Sequence, residues 1–96
     1  MMKNLNISQA VSKKLRDKHG VTRREVEQCF LNRTGRLLVD DRALTRTNPP
    51  TLWFLAPTNH GRLLKIVYIH IGGRVELKTA YEPNDTELDI YKKKGL

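Results

Sequence analysis

The stretch LLKIVYIHIGGRVELKTAY, Leu63 to Tyr81, decides the fold. Leu63–Ile71 is apolar and β-branched, and Arg74–Tyr81 alternates polar with apolar residues. Gly72 and Gly73 between them supply the positive φ that a two-residue hairpin turn requires. A strict turn of this kind pairs His70 with Val75, Tyr68 with Leu77, Ile66 with Thr79 and Leu64 with Tyr81, on the face expected to be core. The opposite face then carries Ile69 with Glu76, Val67 with Lys78 and Lys65 with Ala80, so that Lys65, Glu76 and Lys78 are neighbours there. A slip of one residue in register would exchange the faces of one strand.

Upstream of the hairpin, Thr51–Ala56 reads as a strand closed by Pro57, and the turn Asn59–Gly61 follows it. Arg36–Asp40 is a shorter strand, separated from the next by a polar loop, Asp41–Pro50, that carries Arg42 and Arg46. Before these strands the apolar period is helical. Thr22 and Glu25 form a capping box, Val21 and Val26 form the hydrophobic staple around it, and Val26, Cys29 and Phe30 make a buried stripe. Cys29 therefore reads as core, not as a nucleophile. A first helix is expected from Asn6 or Ser8 to His19, stopped by Gly20 in the left-handed region. Val11 and Leu15 are its apolar stripe, and Lys13, Lys14, Arg16 and Lys18 spread over its solvated remainder. Downstream, Asn84 and Glu87 cap a last helix whose stripe is Leu88 and Tyr91 and whose Lys92–Lys94 suit its negative end. The predicted class is α+β: two N-terminal helices, a four-stranded, mostly antiparallel sheet and a C-terminal helix in one domain, 1–96. The helices are expected on one face, leaving the other for function.

At 96 residues the chain has room for one core, which excludes most large enzyme folds. Its 39% apolar and 29% charged residues argue against disorder. Eighteen Lys and Arg against 10 Asp and Glu give +8, a field that attracts polyanions and makes a basic partner improbable. Residues 1–81 hold 15 basic and 6 acidic side chains, and residues 82–96 hold 3 and 4, so the tail either buries part of the basic surface or lies beside it. A single cysteine excludes an internal disulfide and suits a reducing, cytoplasmic compartment. Met1 to Ile7 lacks the apolar run of a signal peptide, and no stretch is long enough to span a bilayer, so no membrane association is expected.

The order of elements and several strings resemble the BrnT-type toxins, a branch of the RelE-like superfamily of small toxin–antitoxin ribonucleases. Lys18-His19-Gly20-Val21 is similar to that family's element opening the second helix, and Gly61-Arg62-Leu63-Leu64 to its central hairpin. Thr79-Ala80 followed by Glu87 and Tyr91 resembles its Ser-Ala-Arg strand end and the Glu and Tyr of its last helix. Where that family has Arg after Ser-Ala, this chain has Tyr81. The resemblance implies a RelE-like fold and a metal-independent endoribonuclease acting on RNA, neutralised by a cognate small DNA-binding antitoxin. Metal-dependent ADP-ribosyl hydrolases are a poor fit, since the chain lacks the length and the clustered carboxylates they would need.

Cleaving RNA without a metal takes a base for the 2′-hydroxyl, cations for the phosphorane and an acid for the leaving oxygen. The residues offered for catalysis are Lys65, Lys78, Tyr81 and His60, with Arg42, Arg46, Arg62 and Arg74 for binding RNA. Lys65 and Lys78 on adjacent strands repel each other unless an anion lies between them, either a phosphate or Glu76. His60, in an exposed turn beside Arg62, titrates in the useful range. Tyr81 has two roles open, a phenol facing a nucleotide or a core aromatic with its hydroxyl at the rim. Trp53 is assigned to the core, His19 to the helix stop, and His70 to the hairpin end. His19, Cys29, His60 and His70 show no metal-ligand spacing, so neither metal nor cofactor is expected. Two other functions suit the same basic surface: a non-catalytic nucleic-acid-binding module, and a structural partner of an acidic protein.

Overall fold

The computed structural model describes residues 2–40 and 49–96. The elements in chain order are β1 (Leu5–Asn6), α1 (Gln9–Lys14) continuing as a π-helical stretch (Leu15–His19), α2 (Arg23–Asn32), β2 (Leu38–Val39), β3 (Thr51–Pro57), β4 (Leu63–Ile71), β5 (Arg74–Tyr81) and α3 (Asp85–Lys94). Among the described residues they form an α+β unit on a five-stranded mixed sheet of order β1-β5-β4-β3-β2. The fifth strand is β1, which runs parallel to β5 with Leu5 opposite Val75. Two residues leave no period to read, so the sequence showed this segment only as a helix start. Ser8, not Asn6, is the N-cap, its Oγ accepting the Val11 N–H at 3.2 Å.

Three local signals are realised as expected. Gly20 closes the first helical segment with φ 61°. Thr22 and Glu25 complete a capping box, and Val26 and Cys29 beneath it are fully buried. The Cys29 thiol faces the Ala56 carbonyl at 3.3 Å, and burial pushes its pKa up to about 12, which leaves no thiolate for chemistry. The predicted strand Arg36–Asp40 contracts to Leu38–Val39, which pair with Trp53 and Leu52 of β3, and Asp40 adds one N–H donated to the Thr51 carbonyl at 2.8 Å. The predicted loop Asp41–Pro50 falls mostly outside the described residues.

The main correction concerns register. From the turn to Tyr68↔Leu77 the pairs are those a strict two-residue hairpin gives, and then Val67 pairs with Thr79, Ile66 with Ala80 and Lys65 with Tyr81. Lys78 is the extra residue of a β-bulge. Ala80 consequently faces the core with Ile66, while Thr79 and Tyr81 move to the face of Val67 and Lys65. His70, placed on the core side at the hairpin end, is exposed there near the turn. Helices also cover both faces of the sheet. Phe30 of α2 meets Phe54 and Tyr68 edge-on at 5.1 and 5.2 Å, whereas Tyr91 of α3 packs on Trp53, the strand neighbour of Phe54, at 5.7 Å. The acidic tail thus lies on the face expected to be open, and Lys65 is buried under it at 7% exposure.

Candidate functional site

Three elements bring their side chains to one point. Lys65 is the third residue of β4, Tyr81 ends β5 and stands opposite Lys65 because of the bulge, and Glu87 lies in the first turn of α3. Asn84 fixes that turn: its Oδ1 accepts the Glu87 N–H at 2.8 Å, and Glu87 Oε1 accepts the Asn84 N–H at 3.0 Å. The other oxygen, Oε2, accepts from Lys65 Nζ at 2.5 Å and from the Tyr81 hydroxyl at 2.7 Å. Lys65 Nζ also lies 4.6 Å from the centroid of the Trp53 ring and 5.7 Å from that of Tyr81. Burial pushes the Glu87 carboxyl up, but the hydrogen bonds from Lys65, Asn84 and Tyr81 and the Lys65 charge outweigh it. The net pKa lies below the ordinary glutamate range, so the group is ionised at neutral pH.

Lys65 and Glu87 of this set line a cleft of about 440 Å³ between α3 and the β2 edge, with Trp53, Asn84, Ile90 and Lys94, and Tyr81 is joined to it through Glu87. A half-buried carboxylate, an ammonium and a phenol joined by short hydrogen bonds can accept a proton, stabilise an oxyanion and donate a proton.

Of the residues singled out from sequence, Lys65 and Tyr81 meet here and the other described ones do not. Lys78 is exposed at the bulge and is not a cross-strand neighbour of Lys65. The anion beside Lys65 is Glu87, not Glu76, which accepts instead from Asn6 Nδ2 at 2.8 Å. His60 is exposed in the turn, where its backbone N–H reaches Thr58 Oγ1 at 3.3 Å. Arg74 lies at the other end of β5 from Tyr81, about 23 Å away at strand rise. Arg62 is engaged within the fold. It donates to the carbonyls of His19 and Gly20 at 2.9 and 2.8 Å and pairs with Glu25 at 3.2 Å and Glu82 at 3.7 Å. Arg42 and Arg46 lie outside the described residues.

Glu87 is the site residue that sequence reasoning missed, since its capping role already accounted for it. His19, taken as part of a helix stop, places its ring 5.5 Å from that of Tyr81 at an interplanar angle of 31°. Among the described residues no helix is long and apolar enough to cross a membrane. The chain matches no protein-family model, no curated protein and no solved structure.

Proposed function

We propose that the chain is a metal-independent endoribonuclease of the toxin kind, acting in the cytoplasm and held in check by a small DNA-binding antitoxin. The observation that carries this reading is the convergence of Lys65 and Tyr81 on one oxygen of Glu87, a residue of the cleft wall. Glu87 takes the proton of the 2′-hydroxyl, the 2′-oxygen attacks phosphorus, and Lys65 stabilises the phosphorane. The bond from phosphorus to the 5′-oxygen breaks as Tyr81 gives that oxygen its proton. The proton on Glu87 then returns to Tyr81 through their hydrogen bond, leaving a 2′,3′-cyclic phosphate and a 5′-hydroxyl. The net charge of +8 supports a polyanionic substrate.

The test is purified protein with end-labelled RNA in excess EDTA, alongside induced expression with growth followed. Cleavage to cyclic-phosphate ends that persists in EDTA is expected, and Glu87→Gln and Tyr81→Phe should each lower its rate by about 100-fold or more. Intact RNA with wild-type protein overturns the reading. A second reading is favoured by the same ion pair, because it also pins α3 to the sheet: an RNA-binding module without cleavage, for which RNA would be bound and left whole.

A further inference from the structure

Beside the Lys65, Tyr81 and Glu87 set, the first helical segment carries charge that the fold leaves unanswered. Lys14 and Lys18, four positions apart and so on one side of the segment, are both exposed, and neither enters an ion pair among the described residues. Asp17, the acid between them, is engaged by Arg16 at 3.2 Å. His19 follows directly, its ring against Tyr81 and its backbone carbonyl bound by Arg62, so both its main chain and its ring have a partner. Burial, with the Lys14 and Lys18 charges adding to it, holds His19 below its usual pKa, and at neutral pH it is an uncharged ring. Outward from Glu87 the surface therefore runs from the phenol to a flat ring and then to two ammonium groups with no ion pair among the described residues. Single-stranded nucleic acid is bound by this combination, a base stacking on a ring and the flanking phosphates meeting cations.

We propose that His19, Lys14 and Lys18 form an RNA subsite that receives the single strand as it leaves the cleft over Tyr81, a base on His19 and phosphates on the two lysines. This rests on the endoribonuclease reading, and it adds where the strand runs.

The probe is a fluorescent 2′-O-methyl oligonucleotide of about ten nucleotides, which has no 2′-hydroxyl to be cleaved, with anisotropy read across a salt series. Lys14→Gln with Lys18→Gln should reduce the slope of log affinity against log salt by about 1.4, or about 0.7 per phosphate contact. Lys3→Gln with Lys92→Gln changes the net charge equally and should leave the slope nearly unchanged. His19→Ala should weaken binding about tenfold with the slope kept, and His19→Phe should restore it, since a ring is what is needed. Equal slope losses in the two lysine pairs, or His19→Ala binding like wild type, overturn the subsite while leaving the endoribonuclease reading intact. No binding by the wild type at low salt overturns both.

Discussion

An ammonium group set as deeply as that of Lys65 loses on the order of several kcal/mol of hydration, which only its partners can offset. Glu87 and the Trp53 ring are those partners. Lys65→Met keeps the volume and leaves Glu87 without its cation, so it should destabilise the fold by about 2 kcal/mol. Adding Glu87→Leu removes the stranded charge and should recover at least half of the loss, which urea unfolding midpoints of both variants will measure. Acid acts on the same carboxylate. Its folded-state pKa lies below the ordinary 4.5, so its contribution is full above that value and is lost as the pH falls through the lower folded-state value. The stability gap between wild type and Glu87→Gln should therefore be constant near neutrality and shrink only in acid.

At the scale of elements, the bulge is what gives Tyr81 to Lys65. Deleting Lys78 joins Leu77, opposite Tyr68, directly to Thr79, opposite Val67, and every later pair keeps its register and its face. The deletion variant should fold with a melting temperature within about 5 °C of wild type, a cost near 1 kcal/mol, and should keep any cleavage activity. If Lys78 were catalytic, the deletion would abolish activity. The turn and the limits of β4 and β5 were legible because Gly72 and Gly73 and the flanking periods all pointed one way. The bulge was not, because Lys78-Thr79 reads equally well in a regular strand, and that one residue moved Thr79, Ala80 and Tyr81 to other faces. The site was half legible. Lys65 and Tyr81 stood out by chemistry, whereas Glu87 was explained locally by its cap, and nothing local shows that one carboxylate oxygen caps a helix while the other reaches a strand. The partners of Arg62 were hidden for a related reason: in a chain this basic an arginine reads as a free cation, and its four long-range partners, His19, Gly20, Glu25 and Glu82, are invisible until the first helical segment, α2 and the end of β5 meet.

Over the whole molecule, the sheet is bounded among the described residues by two strands of two residues each, β1 and β2, a length that offers little template for edge pairing with other chains. β1 does more than cap an edge. Met2 N–H donates to Glu27 at 3.2 Å, and Arg23 binds the carbonyls of Met2 and Leu5 at 2.9 Å each, so the segment is fastened to α2 as well as to β5. Removing residues 1–6 should lower the melting temperature by about 10 °C and expose β5 to concentration-dependent association, read by thermal melts and sedimentation. The parallel ladder joins positions 70 residues apart in sequence, and Lys65 likewise waits for Tyr81 and Glu87. During synthesis from the N-terminus, β1 is made first and stays unpaired until β5 exists, and the proton-transfer set is incomplete until α3 has begun. Under the proposed function this order of birth delays activity: none can arise until β4, β5 and the first turn of α3 have all been made.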